Sequence, residues 1–403
     1  MRRIAIAAAL IVAAAQLPGL ACTSVIVSGR VTPDGRPLMW KNRDTGTREN
    51  HVRFYPATET TYSYTGLVNS GSRNPQGIWI GTNSEGFSIM NTLSYNINAI
   101  DTASTGANGT FMRRALEVCA DMEDFERFLD TLATPRGLAA NIGIIDAKGN
   151  AAYYELGNYE RYKYDVNDPV TAPMGYLART NFSFNGRPMS EGKGHVRYQE
   201  ANRQMQRAIA DGDVTPEFFL DNLCRDYCNP AKGFDYRSGD FNGVKAVEDD
   251  IIARYKSTCS VIIQGVRPGE NPGLTTMWTI VGYPATTVCM PVWNAAGAEG
   301  IPYMLAEGEG RVSPLSHAGY INKNRSYCYS KEEDPARKYF RWDIMKGYLD
   351  EVMPLEDEVL DVYRKPVAKW RKKDAINRKQ LAKANAKACA LLEGYVSEAL
   401  KSE

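Results

Sequence analysis

The sequence predicts an α+β fold, in which a layered domain of strands and helices is followed by a helical C-terminal region. Short segments rich in apolar and β-branched residues recur between residues 22 and 283. Three segments have helical spacing with polar residues on the opposite face: 109–120, 123–132 and 194–211. From about Lys331 the chain becomes dense in charge and in helix-forming residues. Many strands with flanking helices suit layered packing.

Residues 1–21 are typical of a secretory signal peptide. Two arginines precede an apolar run from Ile4 to Ala15, and Gly19-Leu20-Ala21 supplies a small-x-small cleavage signal. The apolar run is too short to span a bilayer comfortably, so we expect no integral membrane span. Cleavage after Ala21 makes Cys22 the first residue of an exported protein, periplasmic or extracellular.

A cysteine beside a cleavage site is also typical of bacterial lipoproteins. They acylate the cysteine at this position, usually after an aliphatic residue three positions upstream. In this chain Gly19 holds that position, and Leu20 stands where a small residue is usual. The lipoprotein interpretation is therefore the less favoured one. A third interpretation is that Cys22 is a disulfide partner.

The residues after Cys22 predict a β-hairpin. Segment 22–28 is rich in β-branched residues, 32–36 has the Pro and Asp-Gly chemistry of a turn, and 37–44 reads as a returning strand. The hairpin would bring the charged end Lys41–Asp44 close to Cys22. A free N-terminal cysteine carries its own base, because its α-amine has an ordinary pKa of about 7.7–8.0. On spacing alone, a solvated strand end accounts for the charges equally well.

This block resembles the N-terminal pattern of cysteine N-terminal-nucleophile (Ntn) hydrolases. It is most similar to the penicillin acyltransferase-like family (acyl-coenzyme A:6-aminopenicillanate acyltransferase), with choloylglycine hydrolases and secreted Ntn dipeptidases as more distant relatives. The resemblance implies a four-layer αββα sandwich, with Cys22 as nucleophile and Asp44 holding its amine. Asn42 matches an Asn of the family pattern. Where the family has Arg this chain has Lys41, so the cationic role falls to Lys41 or Arg43.

Two later segments extend the resemblance. Segment 81–91 is similar to the family's Gly-x-Asn-x-x-Gly turn and strand, which implies an oxyanion-binding backbone N–H near Leu93; Asn83 and Gly86 themselves read as turn residues. Segment 177–182 is similar to the Thr-Asn segment whose side chain, here Asn181, is the other oxyanion donor. Val261 stands where choloylglycine hydrolases have an Arg. General linear-amide hydrolysis is therefore better supported than bile-salt hydrolysis.

The remaining segments complete the predicted domains. Strands are expected at 139–146, 151–156, 256–264 and 275–283. We expect a catalytic domain over 22–330 and a charged helical extension over 331–403 packed on it, with Pro354 and Pro366 as helix breaks. The last helix is amphipathic, which favours packing on its own domain over a dimer arm. The basic run 369–373 favours a solvated helix face over a membrane-surface role.

Composition excludes several classes. The chain of 403 residues carries 48 Lys+Arg against 47 Asp+Glu, a net charge of +1, which argues against a nucleic-acid binder. The histidines are only His51, His195 and His317, so a multi-histidine metal site is not expected, and no cofactor is predicted. Seven cysteines remain besides Cys22; Cys224 and Cys228 could pair with each other or elsewhere.

The sequence thus predicts an exported enzyme that cleaves linear amide C–N bonds through a thioester on Cys22. Its expected partner is a small-molecule amide, with a second copy of the chain as a further candidate partner. Three alternatives stay open: an acyltransferase that uses the same thioester, an Ntn dipeptidase, and a non-catalytic lipoprotein with Cys22 acylated.

Overall fold

The structure is a computed structural model that describes residues 21–72, 75–102, 105–239, 241, 245–248, 250–328 and 338–401. The predicted signal peptide, apart from Ala21, lies outside the described residues, as does the start of the predicted extension, 331–337. Within the described ranges no helix is long and apolar enough to cross a bilayer.

Strands and helices occur in runs along the described chain. The strands are β1 (Ala21–Val27), β2 (Leu38–Asp44), β3 (Asn50–Tyr55), β4 (Tyr64–Asn69), β5 (Ile80–Asn83), β6 (Ser88–Leu93), β7 (Ala140–Ile145), β8 (Ala151–Leu156), β9 (Arg161–Asp165), β10 (Tyr176–Arg179), β11 (Cys228–Asn229), β12 (Phe234–Asp235), β13 (Lys245–Glu248), β14 (Ser257–Gln264), β15 (Thr276–Val281), β16 (Met290–Val292), β17 (Tyr327–Cys328) and β18 (Lys338–Arg341). The α-helices are α1 (Asn108–Val118), α2 (Met122–Asp130), α3 (His195–Asp211), α4 (Pro216–Asp221), α5 (Pro314–Ser326), α6 (Trp342–Lys373) and α7 (Arg378–Leu400).

Two antiparallel sheets form the centre of the molecule. The first has the strand order β10-β1-β2-β14-β15-β16, and the second runs β3 to β9 in chain order. Side chains alternate between the faces of each strand, so every strand of these sheets contributes to a central and to an outer layer. Ile26 and Met39 from the first sheet and Leu67 and Met90 from the second belong to one buried cluster, which fills the space between the sheets.

Helices cover the outer faces of both sheets. Ala201 and Met205 of α3, with Phe219 of α4, pack on the outer face of the first sheet against Trp40. The helices α1 and α2 cover the second sheet through an aromatic and aliphatic cluster that includes Phe111, Met112, Leu116, Phe125 and Leu129. The layers are therefore helix, sheet, sheet, helix, and the αββα sandwich with a helical C-terminal region is confirmed.

Local sequence explains where several helices begin. The side chain of Asp121 accepts a hydrogen bond from the Asp124 N–H at the start of α2. Thr215 caps α4 and Ser313 caps α5 in the same way, and a proline follows each cap. Proline suits the first helical position because its missing N–H would have no partner there.

The helical C-terminal region packs on the sandwich. The buried cluster that fills the space between the sheets also contains Leu381, Ala388 and Leu392 of α7. Val359 and Tyr363 of α6 belong to the same cluster. This is the apolar face that the sequence predicted for the last helix. Within the basic run 369–373, Trp370 is buried against Trp293 while Lys372 and Lys373 are exposed.

The predicted helix breaks at Pro354 and Pro366 are wrong, because α6 runs without interruption from Trp342 to Lys373 and contains both prolines. A proline inside a helix costs about 3 kcal/mol through the lost hydrogen bond and the ring clash. One face of α6 buries large side chains on both sides of each proline, including Leu349, Val352, Val359, Tyr363 and Trp370. Burial of each contributes about 1.5–3 kcal/mol, which outweighs the proline cost.

A buried ion pair also holds α6 to the sandwich. Arg225 donates to both carboxylate oxygens of Glu356 at 2.8 and 2.7 Å, and Glu356 also accepts from the backbone N–H of Cys289 at 2.6 Å. Both side chains are almost completely buried. Removal of one partner of such a pair strongly destabilises the fold, because the other charge then stays buried without a counter-charge.

We therefore expect Glu356→Ala to lower the free energy of unfolding by about 3–5 kcal/mol, since it strands the Arg225 guanidinium. Urea denaturation followed by circular dichroism measures this change. Glu358→Ala is the matched control, because Glu358 is an exposed glutamate on the same helix. Equal stability of the two variants would contradict the prediction.

Candidate active site

Cys22 lies in a row of side chains that crosses the first sheet. It stands directly opposite Arg43 on β2, and Arg43 stands opposite Cys259 on β14. The next row toward the apolar core contains Ser24 and Lys41. Directly opposed residues of antiparallel strands share a face, and Ile26, two residues on from Ser24, faces the space between the sheets. The thiol and both cations therefore point into that space, at the end of the sandwich where the apolar core stops.

Lys41 is a buried cation one row from Cys22 on the same face of the sheet. Its side chain is 1% exposed, and Nζ donates to the Trp79 carbonyl at 2.9 Å and to Asn91 Oδ1 at 2.7 Å. Burial lowers the pKa of Lys41 to about 8, and the charge of Cys22 opposes that shift. Near neutral pH the ammonium is thus retained, and a thiolate at Cys22 would stabilise it.

Arg43 is held equally firmly. It donates to Asn50 Oδ1, and at 2.8 Å to Asn69 Oδ1, while its guanidinium lies 4.5 Å from the centroid of the Trp79 ring. Burial lowers the pKa of Arg43, and the Asp44 carboxylate is among the groups that oppose this shift. Both cations that the sequence left as alternatives therefore lie on the Cys22 face. Arg43 is directly opposite the thiol and Lys41 one row further in.

Asn181 joins Cys22 to β6. It follows β10, and its Oδ1 accepts from the backbone N–H of Cys22 at 3.0 Å. Its Nδ2 donates to the carbonyl oxygen of Leu93 at 2.8 Å. The structure thus brings the three predicted residues together, although the observed contact of Leu93 is through its C=O. The Nδ2 atom of Asn181 carries two hydrogens, and one of them binds the Leu93 carbonyl. The predicted oxyanion role would use the other hydrogen. That role, and the role of the Leu93 N–H, stay predictions.

Asp44 lies one residue pair beyond the Cys22–Arg43 pair, on the outer face of the first sheet. It stands opposite Ala21, its Oδ1 accepts from Ser257 Oγ at 2.7 Å, and its Oδ2 lies 3.5 Å from Arg254 Nε. In the structure, where Ala21 still precedes Cys22, the Cys22 nitrogen donates to Asn181. The predicted amine-binding role of Asp44 stays a prediction.

Sequence reasoning missed Arg197, the side chain that ties these groups together. From the first turn of α3, its Nη1 donates to the Cys22 carbonyl at 2.7 Å and to Thr23 Oγ1 at 2.9 Å. Its Nη2 donates to Asn181 Oδ1 at 3.0 Å. The side chain is only 1% exposed. A signal was present in the sequence: Arg197 occupies the helix face that carries Ala201 and Met205, where a cation is unexpected.

A chain of charges continues from Arg197 to Asp44. Arg197 Nε donates to Asp250 Oδ1 at 2.8 Å, and Arg254 Nη1 approaches the same oxygen at 3.4 Å. Asp250 has φ = 52°, a left-handed conformation that costs energy for a residue other than glycine. Arg254 in turn faces Asp44. The backbone of Cys22 and the Asp44 carboxylate are therefore linked through one network of charged side chains, of which Asp250 and Arg254 are partly exposed.

We expect Arg197→Met to slow alkylation of Cys22 by iodoacetamide about tenfold or more in the chain that begins at Cys22, because loss of its donors leaves Asn181 and the Cys22 carbonyl free to shift. Mass spectrometry of peptides locates the label. Arg207→Met is the matched control, since Arg207 lies exposed on the same helix. The positioning role would be refuted by equal labelling rates in both variants.

The low pKa of Lys41 predicts a pH dependence of stability. The folded pKa of about 8 lies below the ordinary 10.5, so the unfolded chain binds more protons between these values. Stability due to Lys41 therefore rises as the pH increases from about 8 to about 10.5. Relative to Lys41→Met, we expect the native chain to gain up to about 3 kcal/mol across that window.

Urea titrations at intervals across the same pH window measure the difference between the native chain and Lys41→Met. Comparison with a variant cancels the titration of the other groups. Lys346→Met, which removes an exposed lysine, is the control and should show a constant difference. A constant difference for Lys41→Met as well would contradict the prediction.

Other predicted residues have structural roles. Asn83 Oδ1 accepts from the Glu85 and Phe87 backbones, and Gly86 has φ = 79°, so both are turn residues as expected. Val261, at the position of the missing arginine, stands opposite Lys41 on the neighbouring strand. A cation is therefore already present in that row.

The cysteines whose side chains the structure describes are unpaired. Cys22, Cys119, Cys224, Cys228, Cys259, Cys289 and Cys389 are free and buried. Cys224 and Cys228 therefore do not pair with each other, and Cys224 instead accepts a hydrogen bond from Ser260 at 3.0 Å. Burial raises the pKa of Cys259 to about 12, so this neighbour of Arg43 stays a thiol. No cluster of three or more His, Cys, Asp or Glu suited to a metal occurs among the residues described.

Comparison with known families agrees with the motif evidence. Residues 31–211 match the family described as acyl-coenzyme A:6-aminopenicillanic acid acyl-transferase. The match confirms the predicted resemblance over that segment, which includes Lys41, Arg43, Asp44 and Asn181 and begins after Cys22. No curated protein matches the chain.

The chain is also similar to solved structures of low identity. One is an N-acylethanolamine-hydrolyzing acid amidase ortholog from Caenorhabditis elegans, with 15% identity, a TM-score of 0.39, and coverage of 62% of this chain and 93% of that one. A mutant conjugated bile acid hydrolase from Clostridium perfringens has 12% identity, a TM-score of 0.42, and coverage of 68% and 92%. Penicillin V acylase from Agrobacterium tumefaciens has 10% identity, a TM-score of 0.38, and coverage of 68% and 85%.

Proposed function

We propose that the mature chain begins at Cys22 and hydrolyses linear amide C–N bonds through a thioester on the Cys22 thiol. The observation that carries the proposal is the row in which Cys22 stands opposite Arg43, with Lys41 beside it and Asn181 on its backbone nitrogen. Both cations are buried on the face of the sheet that carries the Cys22 thiol. The resemblance over residues 31–211 supports acyl transfer or amide hydrolysis as the class of chemistry.

The proposed reaction begins with the α-amine of Cys22. The amine takes the thiol proton, and the thiolate sulfur forms a bond to the amide carbonyl carbon. The C–N bond then breaks, and the leaving nitrogen takes the proton from the α-ammonium. Water attacks the thioester, releases the carboxylic acid and restores the thiol.

Two groups are proposed to stabilise the tetrahedral oxyanion. They are the second hydrogen of Asn181 Nδ2 and the backbone N–H of Leu93. Their contact at 2.8 Å, between Nδ2 and the Leu93 carbonyl, keeps the two residues adjacent. Fixed donors at such a point stabilise developing charge without reorganisation in the transition state. Arg197 positions Asn181 from the other side.

The position of Ala21 supports the proposed role of Asp44. Ala21 stands directly opposite Asp44 in the β1–β2 ladder. Cleavage after Ala21 would leave the Cys22 ammonium at the end of β1, one residue pair from the Asp44 carboxylate. An ammonium and a carboxylate at that spacing attract each other, and the carboxylate would hold the amine in place.

Hydrolysis is preferred to transfer because the proposed exported location supplies water in excess and no coenzyme A-binding signature occurs in the sequence. An acyltransferase would use the same thioester, with an amine in place of water. A dipeptidase would differ only in substrate. Acylation of Cys22 by a lipid is disfavoured because Gly19 and Leu20 depart from the residues that are usual before a lipidated cysteine.

Mass spectrometry tests this proposal in two steps. The intact mass of the exported chain should correspond to an unmodified N-terminal Cys22, whereas added lipid would refute the enzyme. The mature chain is then mixed with a panel of N-acyl amides and dipeptides and quenched in acid. An acyl adduct on Cys22 is the expected result, and hydrolysis without any adduct would exclude the thioester. Added amine acceptors distinguish transfer from hydrolysis.

A further inference from the structure

A groove of about 370 Å³ lies between α6 and α7, separate from the Cys22 row. Two lysines from each helix line it, one helical turn apart on each side: Lys365 and Lys369 from α6, Lys383 and Lys387 from α7. Its other lining is mainly apolar and includes Val362, Pro366 and Ala384. We refer to this feature as the lysine groove.

Two hydrogen bonds between the helices fix its geometry. Trp370 Nε1 donates to Gln380 Oε1 at 3.0 Å, and Tyr363 Oη donates to Asn385 Oδ1 at 3.0 Å. Trp370 and Tyr363 are buried and anchored in the sandwich. The four lysines are thus carried on two helices that are held in a fixed relation, while their own side chains reach solvent.

The four lysines lack counter-charges. In the part of the chain that the structure describes, none of them has a carboxylate oxygen within 4.0 Å. Two other exposed cations of α6 are paired, Lys346 with Asp350 and Arg364 with Asp361. Like charges four residues apart on a helix repel each other. A bound anion would relieve that repulsion.

The surrounding sequence has the same bias. Residues 362–387 hold ten Lys+Arg and one Asp, a net charge of +9, whereas the whole chain has a net charge of +1. The rest of the chain is therefore net acidic. A local charge of this size attracts anions over about a Debye length, roughly 8 Å at physiological salt.

We propose that the lysine groove binds a compact anion that carries two or more phosphate groups. Ammonium groups bind phosphate oxygens as point charges, and four of them around one concavity match a multiply charged ligand better than a single carboxylate. The four lysines come from two helices that flank one shallow groove, which suits a discrete ligand placed between them. This site is independent of the Cys22 chemistry.

Isothermal titration calorimetry of the chain that begins at Cys22, with inorganic tripolyphosphate at low salt, tests the proposal. The double variant Lys365→Gln/Lys383→Gln is expected to bind about tenfold or more weakly, because it removes one ammonium from each side of the groove. Lys372→Gln/Lys373→Gln is the matched control, since these exposed lysines belong to the same basic segment and do not line the groove. It should lose less than about twofold in affinity.

Further variants and a vesicle experiment distinguish a specific site from diffuse charge attraction and from membrane binding. Lys365→Arg/Lys383→Arg keeps the charges and is expected to keep binding. Equal losses in the two Gln pairs would show diffuse attraction and overturn the site. Absence of tripolyphosphate binding by the native chain would overturn it too, as would sedimentation with phosphatidylglycerol vesicles without any binding of tripolyphosphate.

Discussion

Cys22→Ala in the mature chain is expected to abolish turnover, with a loss of about 10³-fold or more, because the variant cannot form the thioester. Cys22→Ser should lose activity nearly as completely, since an alcohol is a much weaker acid and nucleophile than a thiol at the same position. Both variants should also lose labelling by iodoacetamide at this position. Release of amine from the best N-acyl amide substrate, followed over time, measures the effect.

Cys259→Ala is the control for this experiment. Cys259 shares the row of Cys22 and Arg43, is 1% exposed, and has a pKa raised to about 12. We expect its removal to leave turnover within about threefold of native, since a thiol that stays protonated is not nucleophilic. Activity retained in a correctly processed Cys22→Ala chain would refute the mechanism.

Retention of Ala21 should be almost as damaging as loss of the thiol. In a chain that begins at Ala21, the Cys22 nitrogen is a peptide amide that donates to Asn181 and cannot accept a proton. The general base is then lost, which we expect to lower kcat/KM by about 10²–10⁴-fold. Two chains released from a cleavable leader, one starting at Ala21 and one at Cys22, allow the comparison.

The same pair of chains supplies its own controls. Unfolding midpoints should agree within a few degrees, because Ala21 adds one residue at the end of β1. Intact mass before and after the assay verifies that Ala21 was not trimmed. Equal turnover by the two chains would show that the α-amine is not the base.

Local patterns were sufficient to predict much of the fold. The β-branched run after Cys22 and the Pro-Asp-Gly turn predicted a hairpin that matches β1 and β2, and helical spacing predicted α1, α2 and α3 to within a few residues. These signals are local, since periodicity and turn chemistry act within a few residues of the chain. The predicted helix breaks at Pro354 and Pro366 were wrong, because burial of side chains along α6 outweighed the local preference of proline against helix.

The site was predictable only in part. Family resemblance singled out Cys22, Lys41, Arg43 and Asn181, and the structure brings these residues together, while their catalytic roles stay predictions. Arg197 and Arg254 could not be found in this way, because their roles depend on how α3 and the segment before β14 pack over the end of β1. That both cations face Cys22 also required the strand register, because a one-residue shift would turn Lys41 and Arg43 together to the other face of the sheet.

The strand order of the first sheet has a consequence for the timing of activity. β2 lies between β1 and β14, and Asp44 and Ser257, which meet at its end, are 213 residues apart in sequence. Contacts of such separation form late, because a long loop must close before they yield any stabilisation. A nascent chain therefore carries Cys22 for most of its synthesis without the assembled surroundings that would make it reactive. Under the proposed mechanism, folding itself would delay activity, because the Cys22 thiol would gain its surroundings only after the segment through β14 has been made and folded.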